Sequence, residues 1–171
     1  MYLCGITGKS TIKSVKTARF RVKYQHFLTG SVKNRPIVVL LSKSIEAVIS
    51  DLGISYSCNI FNNLDIKTPV HRLENIIKLL EPVMVITNDV YKDIMDWEKY
   101  GVTLLNLDSL DETQMNVNTE ELQKRRNELV DTDPFCIINT SGSTGTPKGV
   151  VLNYRSFFDF VRWADETFSF D

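Results

Sequence analysis

The chain has 171 residues, 43% of them hydrophobic, and a formal net charge of −1, a composition that can build the core of one ordinary globular domain. No run of about 18 apolar residues occurs, and the first residues lack the apolar segment of a secretory signal. We therefore expect a cytoplasmic protein without a membrane partner. Cys4, Cys58 and Cys136 lie far apart without CxxC spacing, which predicts buried free thiols rather than a disulfide framework or a zinc site.

Charged residues are distributed unevenly along the chain. Residues 1–35 hold eight of the 20 basic residues and none of the 21 acidic ones, so the remainder is acidic. We interpret residues 1–35 as an atypical basic leader and residues 36–171 as the folded domain. A poorly ordered leader and a leader that binds nucleic acid both fit this composition, and nucleic acid is the less expected partner.

The first predicted strand and helix begin at Pro36. The run PIVVLL is typical of a buried strand. Ser44 is predicted to cap the helix that follows, and Gly53 to loosen or end it. The predicted apolar face of this helix consists of Ile45, Val48, Ile49 and Leu52.

Two further helices are predicted. Thr68 is the expected N-cap of the first, with Pro69 at its first helical position. Its apolar stripe consists of Val70, Leu73, Ile77 and Leu80. After the strand-like run PVMVIT, Asn88 or Asp89 is predicted to open the next helix, which ends at Gly101 before the strand-like run VTLLNL. This helix would carry Tyr91, Ile94 and Met95.

Strands that alternate with helices predict βαβ units, and therefore an α/β fold whose parallel-rich sheet is flanked by helices. Residues from 108 to 133 are polar, and their segment NTEELQKRRNEL predicts a solvated helix. The KRR in this segment is typical of a solvated helix face rather than of a nucleic-acid contact.

The segment NTSGSTGTPKGV, residues 139–150, follows the apolar run FCII. Gly142, Gly145 and Gly149 permit close approaches and backbone conformations in which amide N–H groups point at an anion. A short strand and an apolar-striped helix are predicted after it. The stripe consists of Phe157, Phe160, Val161, Ala164 and Phe168.

The polar side chains of this segment are those that bind phosphate. Lys148 supplies a cation, and Pro147 restricts the backbone just before it. Hydroxyl donors come from Thr140, Ser141, Ser143, Thr144 and Thr146. We therefore predict a polyphosphate-binding loop rather than a flexible linker. It is not a Walker A loop, because Gly149 follows the lysine where that motif has Ser or Thr.

The segment TSGSTGTPKGV resembles the signature phosphate loop of the AMP-forming adenylating enzymes, the superfamily of acyl-CoA synthetases, firefly luciferase and nonribosomal peptide synthetase adenylation domains. The upstream block from KSIEAV to PVMVIT is similar to amino-acid adenylation domains. The segments LDIKTPVHRL and FVRWADETFSFD look more like amino-acid or D-alanine activating members than like long-chain acyl activating ones. Residues 36–171 would then be a partial AMP-binding (adenylation) domain, an incomplete part of the large N-terminal domain of such an enzyme.

The resemblance implies a two-step ligase. ATP and a carboxylate, with an amino acid favoured, would form an acyl-adenylate, and the thiol of a carrier-protein phosphopantetheine or of CoA would then take the acyl group. Lys148 would be catalytic, because it neutralises charge on the departing pyrophosphate. Magnesium would bridge the phosphates without an assigned protein ligand. The implied ATP-binding residues are Thr140, Ser141, Gly142, Ser143, Thr144, Gly145, Thr146, Lys148 and Gly149.

Four residues depart from the family's habit. Cys58 stands where glycine is usual, Asn62 and Asn63 stand in an expected turn that often carries Val-Pro, and Tyr154 replaces a frequent histidine. We expect the first three to change the packing of that turn, and Tyr154 to alter contacts near the adenylate.

Adenylating enzymes continue well beyond the phosphate loop, with walls for adenine, ribose and the acyl group and a mobile C-terminal lid. These parts have no counterpart in the 171 residues, so we expect a truncated enzyme, inactive alone, whose missing C-terminal part is a candidate partner. Two alternatives are a catalytically inactive nucleotide-binding or interaction module, and a protein that binds nucleic acid through its basic leader with salt-sensitive affinity.

Overall fold

The structure, a computed structural model, describes residues 33–110, 119–140 and 147–168. The strands in these ranges are β1 Pro36–Val39, β2 Ile60–Asn63, β3 Met84–Thr87, β4 Thr103–Asn106, β5 Pro134–Thr140 and β6 Lys148–Asn153. The α-helices are α1 Ile45–Tyr56, α2 Val70–Leu80, α3 Thr119–Asn127 and α4 Tyr154–Phe168.

All six strands form one sheet in the order β4-β3-β1-β2-β5-β6. Strands β1 to β5 run parallel to their neighbours, and only β6 is antiparallel, paired with β5. The carboxyl ends of five strands therefore meet at one edge of the sheet. The predicted α/β fold with a parallel-rich sheet and flanking helices is confirmed.

Apolar side chains cover both faces of the sheet, because successive residues of a strand point to opposite sides. The face under α1 buries Ile37, Val39, Leu41, Ile54, Ile86, Leu105 and Leu107. The face under α2 buries Val38, Leu40, Leu64, Leu73, Ile76, Ile77, Val85, Trp97 and Val102. Burial on both sides explains why β1 and β3 read as continuous apolar runs.

Helix α1 begins as predicted but turns a different face to the sheet. The hydroxyl of Ser44 accepts a hydrogen bond from the backbone N–H of Ala47 at 3.3 Å. Gly53 does not end the helix but lies buried inside it, and the residues that α1 buries fully are Ser50, Gly53 and Ile54. Of the predicted apolar face, Ile45, Val48 and Leu52 are exposed. Small residues at the contact bring the helix backbone close to the sheet and leave the larger side chains outside.

Two predictions for the following helices were wrong. Pro69, not Thr68, is the N-cap residue of α2, and it makes no side-chain capping hydrogen bond because proline carries no side-chain acceptor. The helix expected from Asn88 is a series of turns followed by a 3-10 helix at Glu98–Tyr100. Gly101 ends this 3-10 helix with a φ of 63°, as its position predicted.

The chemistry of the turn after β3 explains why it does not continue as a helix. The indole N–H of Trp97 donates to the carbonyl of Lys92 at 2.6 Å, which folds the segment back on itself. The carboxylate of Asp96 accepts from the backbone N–H of Lys99 at 3.3 Å. Side-chain hydrogen bonds of this kind compete with regular helical ones.

The segment expected to form a turn around Asn62 and Asn63 is strand β2, in the interior of the sheet between β1 and β5. Asparagine is uncommon in strands, which hid this element from sequence patterns. Cys58 and Cys136 are buried free thiols, as predicted, and Cys4 lies outside the described residues. Within the described ranges, none of the helices combines the length and apolar character needed to cross a membrane.

Candidate functional site

The two ends of the predicted phosphate loop face each other across the β5–β6 hairpin. Thr140, the last residue of β5, is paired in register with Lys148, the first residue of β6. The Thr140 hydroxyl also donates to the Lys148 carbonyl at 3.4 Å. The fold therefore anchors both ends of the loop on adjacent strands. Six of the predicted site residues lie outside the described residues: Ser141, Gly142, Ser143, Thr144, Gly145 and Thr146.

Lys148 lies at the rim of the sheet and is exposed. It forms no ion pair with any acidic residue in the described part of the chain. Its position next to the loop and its lack of such a partner leave the ammonium group free to meet an anionic ligand.

Gly149 has a packing role. A Cβ at this position would lie 3.0 Å from the Cγ2 atom of Ile137 and 3.6 Å from the Cδ2 atom of Leu80. The first distance is too short for an ordinary carbon–carbon contact. Glycine therefore leaves room for the Ile137 side chain where β6 passes beside β5 and the end of α2.

Two asparagine side chains connect β2 to the end of β5. The amide nitrogen of Asn62 donates to the Ile137 carbonyl at 2.8 Å, and that of Asn139 donates to the Asn62 amide oxygen at 3.0 Å. Asn139 directly precedes Thr140. The sequence predicted a turn at Asn62 and did not reveal this contact; its only signal was two adjacent polar residues, Asn62 and Asn63, after an apolar pair.

A groove of about 620 Å³ runs from the carboxyl end of β5 to the first turn of α2. Its charged side chains are Lys67, Arg72 and Asp65, and neither of the two cations forms an ion pair with an acidic side chain among the described residues. Its wall at β5 includes Ile137, Ile138 and Asn139. A groove with an apolar wall and charged groups of both signs suits part of a polar organic ligand.

Tyr154 anchors α4 rather than forming part of the groove. It is buried, its hydroxyl donates to the Ser55 carbonyl at 3.2 Å, and burial raises its pKa well above the ordinary value of tyrosine. Its ring lies 5.0 Å from that of Phe135, which contacts Phe61 at 5.0 Å and Phe157 at 4.4 Å between ring centres. The residue in the place of the family's frequent histidine therefore packs α4 against α1 and β5.

No cluster of three or more His, Cys, Asp or Glu side chains in the described ranges is arranged to hold a metal ion. A magnesium ligand from this part of the protein is therefore not assigned.

The fold and the hairpin together define an α/β protein in which a parallel strand runs into a glycine- and hydroxyl-rich loop that closes on a lysine. The AMP-binding enzyme family matches residues 26–171. The chain belongs to this family.

Sequence relatives include enzymes that act on carrier proteins. The chain is 30% identical over 140 residues to the D-alanine--D-alanyl carrier protein ligase of Listeria innocua, covering 82% of this chain and 27% of that protein. It is 30% identical over 128 residues to D-lysergyl-peptide-synthetase subunit 1 of Claviceps purpurea, covering 74% of this chain and 4% of that protein. The chain thus spans about a quarter or less of the length of these relatives.

Solved structures share the fold at low sequence identity. The fatty acid AMP ligase from Legionella pneumophila matches with a TM-score of 0.72 and 15% identity over 90% of this chain and 27% of that one. VinN matches with a TM-score of 0.70 and 19% identity over 90% of this chain and 40% of that one.

Proposed function

We propose that this chain carries the ATP-binding loop of an adenylating ligase that activates a carboxylate substrate, with an amino acid favoured. The observation that supports this most is the β5–β6 hairpin, which holds Thr140 and Lys148 opposite each other at the two ends of the loop. The preference for an amino acid comes from the similarity to a D-alanine carrier protein ligase and to a peptide synthetase.

In the proposed first step, a carboxylate oxygen attacks the α-phosphorus of ATP, and the bond from that phosphorus to the bridging oxygen breaks. The products are an acyl-adenylate and pyrophosphate, and the bridging oxygen leaves with pyrophosphate together with the bonding electron pair. In the second step, a thiol sulfur loses its proton and attacks the acyl carbon, and the bond from that carbon to the phosphate oxygen of AMP breaks. The products are a thioester and AMP, which keeps the bonding electron pair. The acceptor thiol would belong to a carrier-protein phosphopantetheine or to CoA.

The proposed role of the loop is to hold the leaving group still. Backbone N–H groups and hydroxyls of residues 140–146 would bind the β- and γ-phosphates, and Gly149 would let the chain pass close to them. Lys148 would neutralise the charge that develops on pyrophosphate, which stabilises the transition state more than the ground state. Because Thr140 and Lys148 are paired in the sheet, the lysine is positioned before ATP binds.

Magnesium, when bound with ATP, would offset part of the phosphate charge. The hydroxyl-rich loop suits a metal that is held mainly through the phosphates, because magnesium prefers oxygen ligands and keeps several waters. The residues that support such binding are therefore those that hold ATP.

We further propose that residues 36–171 form part of an adenylation domain preceded by a basic leader over residues 1–35, and that the protein acts in the cytoplasm. The large apolar surface on α4 and β6 supports a domain that packs against further polypeptide, which would supply the adenine, ribose and acyl walls.

The test is ATP binding and carboxylate-dependent pyrophosphate exchange by the 171-residue chain with a panel of amino acids and short acids. We expect Lys148→Ala to weaken ATP affinity by about tenfold, as loss of one charge-assisted contact predicts. The control is Lys124→Ala, which removes an exposed lysine from α3 and should leave the affinity unchanged.

Equal ATP affinity together with an equal rate of pyrophosphate exchange in the parent chain and in Lys148→Ala would remove Lys148 from the mechanism. ATP binding without exchange for any acid would favour a nucleotide-binding module over a self-sufficient enzyme. Exchange with one acid would identify the substrate.

A further inference from the structure

The contact between β2 and β5 changes from backbone pairing to side-chain hydrogen bonds along the two strands. The backbone pairing of these parallel strands is centred on Phe61 and Cys136. Farther toward the carboxyl ends, the asparagine side chains make the connection: Asn62 reaches the Ile137 carbonyl at 2.8 Å, and Asn139 reaches Asn62 at 3.0 Å. Side-chain amides thus extend the strand contact up to the residue before Thr140.

The direction of these hydrogen bonds is determined by chemistry. The Ile137 carbonyl can only accept, so the amide nitrogen of Asn62 must face it. The amide oxygen of Asn62 then faces Asn139, which must donate. We call this pair of hydrogen bonds, from Asn139 to Asn62 and from Asn62 to the Ile137 carbonyl, the relay. It leaves the Asn139 oxygen as a buried acceptor without a partner among the described residues.

Because Asn62 is buried, its amide depends on the two hydrogen bonds of the relay. Asn62 is 0% exposed and lies in the interior of the sheet, where asparagine is disfavoured unless its amide is satisfied. An apolar residue of the same size would leave the Ile137 carbonyl and the Asn139 amide without these partners. Each buried group left unpaired favours a shift of β5 away from its present position.

We propose that Asn62 is a positioning residue for the phosphate loop, which acts through Asn139 to hold the end of β5 and therefore Thr140 in place for the phosphates of ATP. This inference rests on the proposed function of the loop. The contacts that carry this inference are the hydrogen bonds of Asn62 with Ile137 and Asn139.

The test compares two buried asparagines near opposite ends of β2. Asn62→Leu removes the relay at the carboxyl end. Asn59→Leu removes a 3% exposed asparagine before the amino end of the strand, where its amide bonds to Arg35 and Ser57. Both variants lose buried hydrogen bonds, but only the first should affect the loop.

Three quantities are measured on the 171-residue chain: affinity for magnesium-ATP, thermal midpoint, and hydrogen exchange of residues 140–149. We expect Asn62→Leu to weaken ATP affinity about tenfold and to speed exchange in residues 140–149, as loss of one to two hydrogen bonds predicts. Asn59→Leu should lower the thermal midpoint and change neither of the other quantities. Asn139→Leu should weaken ATP affinity and speed exchange in residues 140–149 to a similar extent. The double variant Asn62→Leu with Asn139→Leu should differ little from either single variant in both quantities.

An unchanged ATP affinity and exchange rate in Asn62→Leu would overturn the proposal, as would an equal loss in Asn59→Leu or full additivity in the double variant. If Asn62→Leu does not fold, Asn139→Leu decides, because Asn139 is only partly buried. If the parent chain binds no ATP, the proposed function fails for this chain, and the exchange of residues 140–149 alone then supports or overturns the role of Asn62.

Discussion

Two groups of neighbouring strands in the sheet differ in how completely their apolar side chains are buried. The closed region consists of β1 to β4 with α1 and α2, and its strands are covered on both faces. The open region consists of β5, β6 and α4, where Ile138, Val151, Phe160 and Trp163 are each more than half exposed. These four side chains lie on two strands and one helix of the same region. The strands of the closed region thus lie in the core, although its helices leave Ile45, Val48 and Leu79 more than half exposed. The open region exposes apolar side chains on a strand next to the predicted loop as well as on its helix.

VinN shares the fold over 90% of this chain, but that stretch is 40% of VinN. The predicted loop lies beside the open region, because β5 and β6 hold its two ends.

The largest expected effect separates the two regions directly. Leu73→Ala in α2 removes a 0% exposed side chain from the closed region and should lower the free energy of unfolding by about 2–5 kcal/mol. Phe160→Ala in α4 removes a 60% exposed ring and should change it by less than about 0.5 kcal/mol. Denaturant unfolding of both variants checks this. Similar losses would mean that α4 contributes to the core of the chain after all.

A smaller effect concerns Asp51, where the two regions meet. The carboxyl group of this α1 residue accepts a hydrogen bond from Asn63 at 2.9 Å, its other oxygen is buried without a partner among the described residues, and burial raises its pKa from 3.8 to about 6. The folded state therefore binds the proton more tightly than the unfolded state. The stability from this group is fully present below about pH 4 and is lost as the pH rises through about 6.

Asp51→Asn removes the loss of stability at higher pH, since the amide stays neutral. We expect the variant to be more stable than the parent by about 1–2 kcal/mol at pH 7.5, a value reduced for partial exposure to solvent, and equally stable near pH 4. Urea titrations at the two pH values measure the difference. A constant difference at both values would exclude the titration of Asp51 as its cause.

The smallest expected effect concerns the contact that links α4 to the closed region. Tyr154→Phe keeps the ring contact with Phe135 but removes the hydrogen bond to the Ser55 carbonyl, which is 3.2 Å long. We expect a loss of about 1 kcal/mol in the free energy of unfolding. ATP affinity should stay unchanged, because the hydroxyl points to α1. A fall in affinity without a fall in stability would instead place Tyr154 in the nucleotide site.

Local sequence signals predicted the parts of the fold that depend on neighbours along the chain. Ser44 caps α1 and Gly101 ends a helical turn, because each acts on groups within a few residues. The wrong predictions share another property. Gly53 continues α1, and the segment after Asn88 folds into turns, because contacts with the sheet and with Trp97 override local preference.

For the candidate site, the sequence by itself determined which groups are available: three glycines, five hydroxyl residues and one lysine lie in a short stretch, a composition that predicts phosphate binding. Only the tertiary structure decided that Lys148 lies opposite Thr140, that Gly149 packs on Ile137, and that Asn62 reaches the end of β5. These contacts join residues up to 75 positions apart, and no local pattern records them. Composition specifies which groups can bind a ligand, whereas the pairing of distant strands specifies where they are held.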